Sequence, residues 1–263
     1  MRAFAVGLGL ALGASACLPE PPKKSILHST IRGSLGPSGK PEFEDGQGLR
    51  VRFQRRVAVL GVTSVDLAGS GRRGEGSLRN LDEAPFAAPD ARGLGESYVS
   101  AYGSTFYDQP SGPGVVDSDR AALEGQRVDR YTRANLTGFR MLGTIETAGR
   151  VLTFDWRGSF SEFTACGRAV PDFKPGALSL EPETEHNVDV VVHTEAPLLA
   201  LGGDALLSLD QDNDGHLSDA EFRDGERPLI MTDLFEVRFD GEPLSCVSGY
   251  DVLRSPGAIP FER

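Results

Sequence analysis

The chain has 263 residues and a formal net charge of −11, from 38 acidic against 27 basic side chains. A balance this acidic argues against a nucleic-acid binder, which needs a basic stripe to follow the phosphates. With 32 glycines and 17 prolines spread along it, the chain favours many turns and short strands over long helices.

At the N-terminus, Arg2 precedes an apolar run from Ala3 to Leu12 and then the small residues Gly13, Ala14, Ser15 and Ala16. The run is well short of the roughly 20 residues that cross a bilayer, so residues 1–16 read as a secretory signal peptide. Cleavage before Cys17 follows on either of two readings. Ala14-Ser15-Ala16 satisfies the small-x-small rule of ordinary signal peptidase, and Leu12-Gly13-Ala14-Ser15-Ala16-Cys17 resembles a bacterial lipobox, whose cysteine receives diacylglycerol. That resemblance implies lipidation of Cys17 and attachment to a membrane. By the same resemblance to bacterial lipoproteins, Leu18 rather than aspartate after the cysteine implies sorting to the outer membrane where the host has one, and residues 17–25 become a lipidated cysteine with a stiff Pro-rich tether.

Residues 26–263 read as a β-rich body. Leu49, Val51, Phe53, Val57 and Val59 alternate with Arg50, Arg52, Gln54, Arg56 and Ala58, which predicts a strand with the five apolar side chains on one face. Gly69 to Gly74 matches G-x-G-x-x-G, but no amphipathic helix follows it, so it reads as a flexible basic loop. The stretches 69–95 and 108–126 are expected to be long loops, serving for binding or merely mobile. Between them, Tyr98, Ser100, Tyr102, Ser104 and Phe106 suggest a strand.

The sequon Asn135-Leu136-Thr137 has no evident meaning beside a bacterial signal. Phe139 to Ile145, a turn around Thr147-Ala148-Gly149-Arg150, and Val151 to Trp156 predict a hairpin with Leu152, Phe154 and Trp156 facing the core. Val188 to Thr194 forms a further strand, on which Asp189 and His193 would share a face, read as a solvated pair, with a transition-metal or catalytic pair as the other reading. Leu234 to Phe239 alternates again, and Asp240-Gly241 turns it toward Cys246. Strands separated by turn-rich loops imply an antiparallel β-sandwich-like body with one short helix-loop-helix insertion near the C-terminus. With Cys17 acylated, Cys166 and Cys246 remain as an even pair in an oxidising compartment. A disulfide closing a loop of about 80 residues is expected, two buried free thiols being the other reading.

The insertion carries the chemistry. Asp210 to Glu221 reads D-Q-D-N-D-G-H-L-S-D-A-E. Asp210, Asp212 and Asp214 take positions 1, 3 and 5, His216 offers its backbone carbonyl at position 7, Ser218 acts directly or through water at position 9, and Glu221 closes the ring at position 12. Calcium needs six to eight oxygens, and one short loop supplies them when carboxylates recur at alternate positions. Gly215 takes the sharp turn at position 6, and Leu217 at position 8 is the apolar anchor to a neighbour. Ser218 and Glu221 also form a capping box that starts a helix running to about Arg223 and stopped by Gly225.

The loop resembles the EF-hand superfamily, which implies a bound Ca2+ within a segment spanning residues 204–225. Two features depart from the family pattern. Gly202-Gly203 confines the incoming helix to Asp204–Leu209, and no second loop accompanies the first. A sensor switch needs a pair that opens a Met-rich groove, so the calcium is expected to be structural.

No G-x-S-x-G elbow or H-E-x-x-H helix occurs, and His28, His186, His193 and His216 are scattered. The sequence therefore reads as a non-enzymatic, calcium-binding envelope lipoprotein whose protein or glycan partner is unspecified. An adhesion or ligand-binding module acting through the long loops, and an extracellular hydrolase or carbohydrate-active enzyme with structural calcium, are the rival readings.

Overall fold

The structure, a computed structural model, describes residues 23–66, 76–103, 111–124, 138–158, 163–168, 176–224 and 234–248. The signal peptide, Cys17, residues 69–74, Ser104, Phe106, the sequon and Gly225 lie outside the described residues.

The first half supplies β1 (Ser25–Gly33), β2 (Glu42–Glu44), the long β3 (Arg50–Asp66), β4 (Ser77–Asn80), β5 (Phe86–Gly93), β6 (Gly95–Gly103) and helix α1 (Asp117–Glu124). Then come β7 (Phe139–Thr147), β8 (Arg150–Gly158), β9 (Phe163–Gly167), β10 (Leu178–Leu180) and β11 (Glu185–Val192). Helices α2 (Ala196–Leu201) and α3 (Gly203–Leu209), the two-residue β12 (His216–Leu217) and helix α4 (Asp219–Asp224) form the insertion. The chain returns through β13 (Phe235–Phe239), β14 (Glu242–Pro243) and β15 (Ser245–Ser248).

Five strands make one sheet in the order β14-β13-β11-β1-β5. The second runs β12-β8-β7-β3-β6-β9-β15, with β10 on β6 and β2 and β4 on β3. One apolar cluster unites them: Leu27 and Ile31 of β1 and Val188, Val190 and Val192 of β11 share it with Val51, Phe139, Met141, Leu152 and Phe154 of the larger sheet. The body is mainly β and sandwich-like, as expected, and the strand pairs are antiparallel except β1 with β11 and β12 with β8. Cys166 and Cys246 stand opposite each other across β9 and β15 and are joined by a disulfide.

The hairpin β7–β8 has the expected core face, with Leu152, Phe154 and Trp156 buried. Its turn residues Ala148 and Gly149 have φ of 48° and 76°, the left-handed pair that matches the twist of a two-residue hairpin.

Strand β3 departs from the expected single face. A bulge between Phe53 and Arg55 shifts its register against β7: Phe53 stands opposite Gly143, but Arg55 opposite Leu142. An extra residue in a period-two ladder exchanges the faces. Val51 and Phe53 thus join the main core together with Ala58, Leu60 and Val62, while Val57 and Val59 turn to a smaller cluster with Leu78 and Leu123.

The same exchange brings Arg56 to the inner face, where it is fully buried. Its Nε donates to Asp82 Oδ1 at 2.6 Å, and its Nη1 donates to the Ser34 carbonyl and to Thr194 Oγ1, both at 3.0 Å. A charge taken out of water is tolerated only with such pairing.

The expected loops 69–95 and 108–126 hold regular structure over their described parts: β4, β5 and α1. Leu78 and Leu123 pack under β3, and Asp119, nearly fully buried, accepts from Arg55 and from the Val116 N–H. β4 and α1 bring one apolar residue each, Leu78 and Leu123, and β5 brings Ala88 and Ala91 with Phe86 packed beside them, too few to set up a clear period.

Candidate functional site

The helix-loop-helix insertion connects β11 to β13, which are neighbours in the five-stranded sheet, with Val188 opposite Phe239 and Val192 opposite Phe235. It leaves that sheet and docks on the edge of the other. Gly202, with φ 79° and ψ 162°, breaks the incoming helical stretch into α2 and α3, so the short helix into the loop is as the glycine pair predicts. The capping box also forms. The Ser218 N–H and Oγ donate to Glu221 Oε2 at 2.7 and 2.8 Å, and the Glu221 N–H returns to Ser218 Oγ at 3.4 Å.

Within the loop, one carboxylate oxygen from each of Asp210, Asp212 and Asp214 lies within 4.8 Å of the others. The backbone is wound to bring them together: the Asp214 N–H donates to Asp212 Oδ1 at 3.3 Å, the His216 N–H to Asp214 Oδ1 at 2.7 Å, and the Gly215 N–H to Asp210 Oδ1 at 3.4 Å. Asn213 and Gly215 have φ of 59° and 80°, which glycine adopts without strain and asparagine tolerates. Asp210 is buried, whereas Asp212 and Asp214 are exposed. Glu221 stands apart from this group; its Oε1 accepts from the Gln211 N–H at 3.2 Å, joining the end of the loop to its beginning. The Ser218 and Gln211 donors hold its carboxyl below the usual range against the opposing effect of burial.

His216 takes part through its backbone and through a Nδ1 contact with Thr153 Oγ1 at 2.9 Å. With Leu217 it forms β12, which pairs in parallel with β8, His216 opposite Thr153 and Leu217 opposite Phe154. The Thr153 N–H donates to the Gly215 carbonyl at 2.9 Å. Leu217 is completely buried in the main core, so the neighbour expected for the position-8 anchor is the body's own sheet.

On the outgoing side, Phe222 stacks on Trp156 with centroids 4.9 Å apart and meets Phe154 edge-on. Asp219 Oδ1 accepts from the Arg157 N–H at 2.5 Å. On the incoming side, Leu206 is wholly buried, and Gly203 lies so close to Thr147 that a Cβ there would come within 2.1 Å of its Oγ1.

Sequence reasoning missed one member of the site. Arg150, the first residue of β8, places Nη2 at 2.8 Å from Asp210 Oδ2. The two residues are 60 positions apart, and only the hairpin's docking brings them together.

The other sequence candidates are dispersed. His193 lies past the end of β11 and pairs with Glu195, Nδ1 to Oε1 at 2.9 Å, and with Glu236, Nε2 to Oε2 at 3.5 Å; the expected partner Asp189 is exposed. Glu195 in turn accepts from Ser34 Oγ at 2.5 Å, beside Thr194, which binds Arg56. His28 and His186 form surface pairs with Asp90 and Asp240. Among the described residues, no helix is long and apolar enough to cross a membrane.

Comparison with protein-family models, curated proteins and solved structures finds no match to the chain.

Proposed function

We propose that the protein is a non-catalytic envelope lipoprotein, tethered through lipidated Cys17 to a bacterial membrane, whose β body is locked by one structural calcium ion. Asp210, Asp212, Asp214, the His216 carbonyl, Ser218 and Glu221 would hold the ion. The donor set is all oxygen, which suits a hard cation. Among the described residues, the guanidinium paired with these carboxylates is that of Arg150, on Asp210, and the ion would supply further positive charge.

The observation that carries the structural role is the pairing of His216 and Leu217 with β8. A loop meant to open on binding needs a free partner surface. Here the anchor residue is spent inside the core of the same chain, and both flanking helices pack on the body. Outside the cell, where calcium is near millimolar, even a weak loop is filled.

Thermal unfolding in calcium and in chelator tests the reading. Calcium is expected to raise the melting temperature, and Asp210→Ala with Glu221→Ala to abolish that rise; a rise that persists in the double variant would sink the proposal. Cys17→Ser is expected to move the chain from the membrane fraction to the soluble one, and a variant that stays in the membrane would contradict the lipid anchor.

A further inference from the structure

Asp210 is the buried member of the loop's three aspartates: its side chain has no exposure, while Asp212 and Asp214 lie open. A carboxylate removed from water requires a positive partner. Among the described residues, the cation paired with any of the three is Arg150, its Nη2 at 2.8 Å from Asp210 Oδ2.

This pairing is set by the fold. Ala148 and Gly149 close a two-residue turn, Thr147 stands opposite Arg150 across it, and Thr147 is wedged against Gly203 at the start of the helix that leads into the loop. The Arg150 backbone is therefore held beside position 1. Its side chain is not buried with it: 42% of the side-chain surface is exposed, so the guanidinium has open solvent to turn into.

We infer that Arg150 is a tethered competitor for calcium, neutralising Asp210 in the metal-free chain and giving way when the ion binds. The inference rests on the calcium reading above and names what regulates that site. A ligand whose competent state is only partly populated binds with its intrinsic affinity reduced by that fraction. Here the competent state is the one with Arg150 turned away. The guanidinium also supplies a threshold of charge. A monovalent cation brings no more charge to Asp210 than Arg150 does, whereas a divalent ion brings twice as much.

The test is calcium titration of the purified chain by calorimetry, with wild type, Arg150→Gln and Arg150→Lys, joined to melting curves in chelator and in saturating calcium. Arg150→Gln is expected to tighten calcium binding by roughly tenfold, the effect of removing one unit charge about 6 Å from a divalent ion at the dielectric of water, into which the exposed guanidinium turns. Arg150→Lys, which keeps the charge, should stay within about threefold of wild type on the same ground. In chelator Arg150→Gln should melt below wild type, and in saturating calcium the two should converge. An Arg150→Gln affinity equal to or weaker than that of wild type would overturn the inference while leaving the calcium site standing. A wild-type chain that takes up no calcium would overturn the calcium reading and this inference with it.

Discussion

Asp82 holds Arg56 at two points, accepting from its backbone N–H at 2.8 Å and from its Nε at 2.6 Å. Asp82→Ala would leave a buried guanidinium with only neutral partners and is expected to cost about 3 kcal/mol. Replacing both, as Arg56→Met with Asp82→Ala, should cost much less, because no uncompensated charge remains. Urea midpoints of the single and double variants check this; a double variant less stable than the single one would show that the pair is worth more than its desolvation.

Leu217 is the apolar link between the loop and the core. Leu217→Ala is expected to lower stability by about 2–4 kcal/mol through the cavity it leaves, and Leu217→Met by under about 1.5 kcal/mol. Both values can be read from denaturant unfolding in saturating calcium. A loss in Leu217→Ala below about 1 kcal/mol would mean that the loop is not anchored there.

Asp155, on the face of β8 opposite Phe154 and Trp156, sits between Arg140 and Arg157, with hydrogen bonds of 2.9 Å from Arg140 Nη2 and 2.7 Å from Arg157 Nη2. Burial alone would raise its pKa, but the two guanidinium groups prevail and hold it at about 2, below the ordinary 3.8. The stabilisation is therefore present above the unfolded value and is lost as pH falls through the folded one. Discounted for partial solvation, it amounts to about 1–2 kcal/mol. Asp155→Asn should be less stable than wild type by that amount near neutrality, and the gap should close as pH falls through about 2. A gap independent of pH would assign the loss to packing.

His193 has the opposite sign. Its hydrogen bond to Glu195, aided by Glu236, raises its pKa above 6.5 although burial opposes this. The contribution is complete below the unfolded value and disappears as pH rises through the folded one. His193→Gln is expected to be less stable than wild type under mildly acidic conditions and to match it under alkaline ones. Melting curves across that range decide, and a deficit that grows with pH would refute the assignment.

The hairpin β7–β8 and the short helix-loop-helix segment were legible because each is specified locally: alternation joined to a two-residue turn in one case, fixed spacing of glycine and capping residues in the other. The face exchange in β3 was not. From Val57 to Val62 the strand is buried on both sides, so its apolar residues run continuously, and a bulge leaves no mark on a pattern that no longer alternates. The parallel pairing of β1 with β11 joins segments about 160 residues apart, and no short-range signal encodes it. Arg150 was hidden for a related reason. Its role depends on where a hairpin meets a loop, not on its own neighbours in sequence.

The pairing of β12 with β8 places the loop at one end of the ten-stranded sheet. An uncovered strand edge offers free N–H and C=O groups to any extended chain, and proteins protect such edges against aggregation. At Thr153 and Phe154 that protection is supplied by the acidic loop itself. On the proposed reading, calcium withdrawal would loosen the loop and bare a templating edge, on a protein that the proposed lipid anchor would concentrate in two dimensions among identical copies.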